Sequence, residues 1–344
     1  MTELVPSLVG AGLVVGLAVP VATLVTKGLL VARFRRDPHP RRHGSLGTFL
    51  LLLAPSLGAI AWFTSAGFHL SEPGADTGCA IDHDGAAACV DAILFAGLLS
   101  TLIVTAFTRG WWRHASRRDR TVALPADAPA SRRVTRICAS HPRLRALSRR
   151  GDRVRVVATA AHPICTRGLL RPVIEVSVSF LARVGDEALL AALLHEAEHH
   201  DGRDPLRRLV AAASLTLNPC GALLRPELRR WSAAREAVCD ERAVRHGADP
   251  LALADALVVA ARTAPPRGTL AVGLGGPSAG LLQLRIQLLV GFARRHPGRP
   301  SAPALWIGLA ATAAVIALPH LLGAWPLDLA HGALERALIG FGLL

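Results

Sequence analysis

The stretch Leu193-Leu194-His195-Glu196-Ala197-Glu198-His199-His200 carries two imidazoles and a carboxylate at the H-E-x-x-H spacing. On a helix of 3.6 residues per turn His195 and His199 fall on one face, so two neutral imidazoles can hold one Zn²⁺. Glu196, one residue on, is placed to act as general base toward water at that metal. A catalytic zinc needs three protein ligands and an open position, so a further donor must come from elsewhere. The best candidate is Glu236 in Arg235-Glu236-Ala237-Val238-Cys239-Asp240. Asp240, one turn later on the same face, is placed to orient a ligand histidine.

These residues need elements to position them. Asp186 is expected to cap the histidine helix, with Glu187 in its first turn and Leu189, Leu190, Leu193 and Leu194 as its apolar stripe. Ahead of it, the alternation from Arg153 to Ala158 predicts one strand and Val173 to Val178 a second, forming a hairpin after a turn at Arg167-Gly168. Such a hairpin either offers an edge to an extended peptide or only packs on the helix. Downstream, helices are expected over Leu206 to Leu217, Pro226 to His246, Leu251 to Thr263 and Leu281 to Phe292. Pro265 to Gly280 reads as a Gly- and Pro-rich loop, Thr121 to Ser131 as a linker, and Val134 to Arg150 as a basic helix interrupted at Pro142.

The chain has 344 residues and is 51% hydrophobic. Four stretches, 7–26, 46–68, 92–108 and 303–322, read as long and apolar enough to span a bilayer, which takes about 20 residues as helix. A cleaved signal peptide is not expected, because Glu3 stands where a basic cluster would. The net charge of +14 is spread as a membrane topology would spread it. Arg33, Arg35, Arg36, Arg41 and Arg42 follow the first stretch, and Arg109, Arg113, Arg117, Arg118 and Arg120 follow the third. The loop between the second and third is acidic.

The expectation is therefore a mainly α, multi-pass membrane protein with four transmembrane helices, its N-terminus outside and its catalytic domain cytoplasmic. Residues 1–108 would hold three helices and an extracytoplasmic loop at 69–91, and 109–300 the cytoplasmic domain. Residues 303–322 would form the fourth helix and 323–344 a short outside tail. Cys79 and Cys89 fall in the outside loop, where a disulfide is allowed, whereas Cys138, Cys165, Cys220 and Cys239 are expected to be free, buried thiols. No basic helix interleaved with aromatics argues for direct nucleic-acid binding.

In these residues the chain resembles the integral-membrane zinc metallopeptidases of the β-lactam sensor and antirepressor type, related to the heat-shock and prenyl-protein membrane proteases. The likeness runs from about Thr166 to Leu288. It rests on Gly168-Leu169-Leu170-Arg171-Pro172-Val173-Ile174, His195-Glu196-Ala197-Glu198-His199, Arg203-Asp204, Asn218-Pro219, Glu236 with Cys239-Asp240, and Arg285-Ile286. It implies a gluzincin-like α+β zinc domain whose partners are the lipid bilayer and a protein substrate, such as a transcriptional repressor. Ala197 departs from the bulky apolar residue usual there. The tail leaves no room for the penicillin-binding sensor domain of the antibiotic-sensing members, and Leu24 before Lys27 breaks the Ser-x-x-Lys acylation motif.

The chemistry expected is zinc-dependent hydrolysis of peptide bonds, with Glu196 moving the proton. The chain has no Tyr, so the oxyanion donor must be His, Arg, Asn or backbone; Arg242 and His246 are candidates. Glu198 and His200 sit on other helical faces and are not expected to be ligands. Arg203 with Asp204 reads as a structural ion pair, Cys239 as packing, and His141, His162 and His296 as surface residues. Three functions remain open: a regulatory protease, a quality-control protease for membrane proteins, and a non-catalytic receptor or scaffold that keeps the zinc fold.

Overall fold

A computed structural model of the chain describes residues 19–36, 44–69, 104–105, 108, 122–149, 153–158, 162–263 and 279–294. Residues 7–18 of the first stretch, the expected outside loop from 70 to 91 with Cys79 and Cys89, most of the stretch 92–108, residues 264–278, His296, the stretch 303–322 and the tail 323–344 lie outside the described residues. In chain order the elements are α1 (Val19–Arg36), α2 (Leu46–His69), α3 (Pro129–Ser140), α4 (Pro142–Ser148), β1 (Val154–Val157), β2 (Ile164–Arg167) and β3 (Val173–Ser177). There follow the single turn α5 (Val178–Leu181), α6 (Asp186–Asp201), α7 (Asp204–Leu217), a 3₁₀ turn (Gly221–Leu224), α8 (Arg225–Arg245), α9 (Pro250–Thr263) and α10 (Ala279–Arg294).

Helix α6 is the centre of the domain. It opens after Gly185, with Asp186 and Glu187 in the first turn, where negative charge complements the exposed N–H groups. Asp186 is not the cap that was expected: Gly185 takes that position, and Asp186 pairs with Arg133, whose Nε lies 2.7 Å from its Oδ1. From Ala188 to His199 every residue but Leu190 is buried, so the apolar stripe is really a helix enclosed on most sides. The sheet covers one side, and α8 and α9 pack on others.

The sheet has the order β1-β3-β2. The expected hairpin is corrected here: β1 runs parallel to β3, with Val154 opposite Ile174, and a strand missed in the sequence, β2, is the antiparallel neighbour of β3. Short strands without clean alternation leave little periodic signal, which is why β2 was missed. The turn at Arg167-Gly168 does exist, but it joins β2 to β3. Gly168 has φ +99, and a Cβ there would stand 2.8 Å from Arg171 O. On β3, Ile174 and Val176 enter the core, while Glu175 on the opposite face is held by Arg155 and Arg167.

Two apolar cores result among the described residues. The larger joins Ile164, Ile174, Val176 and Phe180 to Leu189, Leu193 and Leu194 of α6 and to Leu253 and Leu257 of α9. The smaller joins Leu30 of α1 and Phe49 and Leu52 of α2 to Leu215, Leu224 and Trp231. The rings of Phe49 and Trp231 lie 5.3 Å apart.

That smaller core overturns the multi-pass architecture and the membrane localisation read from hydropathy. Among the described residues no helix is long and apolar enough to cross a membrane. The apolar residues of α2 up to Ala54 are used in packing on α7 and α8. Polar groups tie both N-terminal helices to the domain: Ser56 Oγ donates to Ser214 O at 2.8 Å, and Asn218 Nδ2 donates to Thr23 Oγ1 at 2.8 Å. A core helix and a spanning helix are alike in composition, so hydropathy alone could not separate them.

Candidate metal centre

One face of α6 and one face of α8 meet to form the site. His195 and His199 project from α6, one turn apart, and Glu236 faces them from α8. His195 Nε2 and His199 Nε2 are 3.1 Å apart, and Glu236 Oε2 and Oε1 lie 3.6 Å and 3.5 Å from them respectively. Ligands about 2.0–2.1 Å from a tetrahedral zinc stand about 3.3–3.4 Å from one another. Three buried donors at these separations fit a divalent metal of that size.

Each histidine is held from behind. His195 Nδ1 lies 2.8 Å from Asp240 Oδ1, and His199 Nδ1 lies 2.7 Å from Asp204 Oδ2. At His199 this is a hydrogen bond and at His195 a close ion-pair contact outside hydrogen-bond geometry. Both set a carboxylate beside the far nitrogen and leave Nε2 as the ligand atom, the arrangement expected around metal-bound histidine. Each carboxylate is in turn held by an arginine. Arg285 donates from Nε and Nη2 to Asp240, both at 2.7 Å, and Arg235 donates from Nε and Nη2 to Asp204 at 3.1 Å and 2.9 Å. Arg285 Nη1 also reaches Glu236 Oε2 at 3.2 Å, and Arg208 Nη2 donates to Glu236 Oε1 at 2.8 Å.

The turn between α6 and α7 makes the His199 arrangement possible. Arg203 adopts φ 49 and ψ 40, the left-handed region, at a cost of about 1–2 kcal/mol for a residue with a Cβ. Gly202 beside it must lack a side chain: a Cβ would stand 2.8 Å from Arg235 Nη2, 2.9 Å from Asp204 Oδ1 and 3.0 Å from Glu198 O. The expected Arg203–Asp204 ion pair is therefore corrected: Asp204 serves His199 and Arg235.

Glu196 lies beside the histidines, fully buried. Thr166 Oγ1 on β2 is 2.7 Å from its Oε2, while Oε1 has no hydrogen-bond partner. Burial pushes the Glu196 carboxyl up, and the neighbouring His199 and His195 only partly offset this. Glu236 behaves oppositely: burial opposes its charge, but His199, the His195 contact and Arg285 hold it well below the usual carboxylate range. Burial disfavours protonated His195 as well, yet Asp240 and Glu236 raise it to about 9. His199 is carried well above its ordinary value, against burial, by the Cys239 sulfur and by Glu236 and Asp204.

Other residues expected at the site go elsewhere. Arg242 and His246 face Glu198, at 3.8 Å and 3.6 Å, and their side chains are 50% and 45% exposed. Glu198 is also paired with Arg143 at 2.6 Å, and His200 Nδ1 meets Asp201, so neither Glu198 nor His200 joins the donor cluster. His162 is buried rather than a surface residue, and His141 bonds to His246 O. Cys138, Cys165 and Cys239 are buried free thiols, and Cys220 is free and half-buried. A second grouping of donors, His199, Asp204 and Cys239, already surrounds a cation, because Arg235 Nη2 lies 2.9 Å from Asp204 and 3.5 Å from Cys239 Sγ.

Sequence reasoning missed Thr166, the pairing of Asp204 with His199, Arg235 and Arg208, and gave no role to Arg285. The last had a readable signal, since a lone arginine within the apolar stretch Leu281 to Phe292 calls for a buried carboxylate partner. No protein-family model matches the chain, and no curated protein matches it.

Proposed function

We propose that this chain is a zinc-dependent endopeptidase that hydrolyses peptide bonds of a protein substrate. One observation carries the reading: three buried donors from His195, His199 and Glu236 converge at 3.1–3.6 Å with Glu196 beside them. Zinc held there would supply a Lewis acid that polarises a carbonyl and lowers the pKa of water.

The protein's own groups divide the remaining work. Asp240 and Asp204 fix the rings of His195 and His199 so that both Nε2 atoms face Glu236. Thr166 holds Oε2 of Glu196, leaving Oε1 as the atom that takes the proton of an attacking water and returns it to the leaving amine. Burial keeps this carboxyl basic and keeps bulk water from competing. A scaffold that only retained the zinc fold would have no need of a general base at Glu196.

The test combines metal content with cleavage of unfolded casein and of co-expressed proteins, for the wild type and Glu196→Gln. About one zinc per chain is expected in both, with cleavage lowered by about 10²–10⁴ in the variant, the usual weight of a general base. Absence of zinc from the wild type, or equal cleavage by the variant, would sink the reading. The fragments released from co-expressed proteins identify the substrate class.

A further inference from the structure

Hydrolysis of an amide needs a hydrogen-bond donor for the carbonyl oxygen as that atom takes up charge. With no Tyr in the chain, the donor is another side chain or the backbone. Arg242 and His246 are turned toward Glu198. Arg235 and Arg285 are 3% and 4% exposed and spend their guanidinium nitrogens on Asp204, Asp240 and Glu236. Asn218 is tied to Thr23 and to the Cys220 N–H.

Arg208 also bonds Glu236 but differs in its exposure and in keeping an unpartnered nitrogen. Its Nη2 donates to Glu236 Oε1 at 2.8 Å, and that oxygen lies 3.5 Å from His199 Nε2. The guanidinium therefore touches the ligand cluster directly. Its side chain is 23% exposed, so an incoming peptide can reach it, and its Nε is buried without a hydrogen-bond partner. The helix that carries it, α7, starts at Asp204, which the His199 and Arg235 contacts fix in place.

We propose that Arg208 is the oxyanion donor of this site, a catalytic residue that hydrogen-bonds the carbonyl oxygen of the scissile peptide. The assignment rests on the peptidase reading above. As the water oxygen bonds to the carbonyl carbon, the π pair moves onto the carbonyl oxygen and the water proton goes to Glu196 Oε1. Arg208 donates an N–H hydrogen bond to that oxygen and keeps its own proton. When the pair returns, the C–N bond breaks and Glu196 passes the proton to the amine nitrogen. A planar guanidinium can touch Glu236 and the substrate oxygen together, which a lysine ammonium does less well.

The experiment compares zinc-loaded wild type, Arg208→Met and Arg208→Lys. Each is titrated with N-phosphoryl-leucyl-tryptophan, whose tetrahedral phosphoryl oxygens copy the charged oxygen, and with acetohydroxamate, a planar metal binder. Arg208→Met is expected to keep zinc and hydroxamate affinity while losing about 10²-fold or more in phosphoryl-dipeptide affinity, the scale of one oxyanion donor. Arg208→Lys should recover part of the loss. In casein cleavage the fall should lie in kcat, with KM little changed. Equal phosphoryl-dipeptide affinity in wild type and Arg208→Met overturns the proposal. So does loss of zinc from Arg208→Met, which would make Arg208 a clamp on Glu236, and so does a wild type that binds hydroxamate but not the phosphoryl dipeptide. None of these outcomes touches the peptidase reading, which stands or falls on Glu196→Gln.

Discussion

The two histidines look equivalent, each with an aspartate behind it and an arginine behind the aspartate, but their supports are built differently. The His199 support is local: Asp204 is five residues away, returned by the left-handed turn at Arg203. The His195 support is remote: Asp240 comes from α8, and Arg285 comes from α10, 45 residues further on. Arg285 also touches Glu236, so the remote support holds two ligands where the local one holds one. The His199–Asp204 contact forms with the turn between α6 and α7, and α8 adds only Arg235 behind it. The remote half requires α10 to dock on α8 and α9, and the metal pocket therefore reports on that docking.

The largest effect should come from cutting the remote support. Arg285→Met leaves Asp240 and Glu236 buried with less compensation, and removing one partner of a buried pair costs about 3–5 kcal/mol. Arg235→Met should cost less, because Arg207 lies 3.7 Å from Asp204 and can compensate in part. Urea unfolding of the metal-free proteins measures both. Equal losses would show that the two supports do not differ as described.

Next in size are the aspartates themselves. Asp240→Asn and Asp204→Asn should each weaken zinc binding by about 10–100-fold, measured by competition with a chelator. The loss should be smaller for Asp204→Asn, since Cys239 Sγ remains 3.5 Å from His199 Nδ1. An unchanged affinity in both would mean that the carboxylates do not orient the ligands.

Legibility in the sequence cut across that divide: the remote Asp240 was readable, and the local Asp204 was not. Contacts set by helical period were readable: His195 with His199, and Glu236 with Asp240, are both i, i+4 pairs, so one periodicity places each pair on a face. Helix α8 was placed within one residue at each end, and the break at Pro142 was found. What was lost depended on tertiary return of the chain. Asp204 was read as the partner of its neighbour Arg203, because nothing in the sequence marks Arg203 as left-handed. Thr166 was missed together with its strand β2. The membrane reading failed because the apolar run in α2 is spent on Trp231 and Leu215, partners more than 150 residues away.

A smaller effect concerns protons. Against burial, the carboxylates around them raise both His195 and His199 in the metal-free site, but their Nε2 atoms stand 3.1 Å apart and one must accept from the other. The pair therefore shares an extra proton whose stabilisation is complete below about pH 6.5, the ordinary value. For His195 that stability is lost as pH rises through about 9. Zinc needs neutral rings, so its affinity should rise about tenfold per pH unit for each proton displaced, from pH 6.5 toward 9. Calorimetry in buffers of different ionisation enthalpy counts those protons. Asp240→Asn should shift the upper end of this range downward, while Asp204→Asn should leave the His195 step in place. A flat profile in the wild type would remove the shared extra proton from the description.

The smallest effect should be at the rim. Arg242 and His246 were the sequence's candidates for the oxyanion, yet both lean on Glu198, whose close partner is Arg143 at 2.6 Å. Glu198 is buried but keeps Arg143, and the half-exposed Arg242 and His246 add only long contacts at 3.8 Å and 3.6 Å, worth about 0–1 kcal/mol. The double variant Arg242→Gln with His246→Gln should therefore unfold within about 1 kcal/mol of wild type. It should also bind zinc equally and cleave casein within about twofold. A large fall in kcat would return the oxyanion to α8 and count against Arg208. A large fall in zinc affinity would mean that Glu198 transmits to His199 through α6, and that the local support is wider than Asp204 and Arg235.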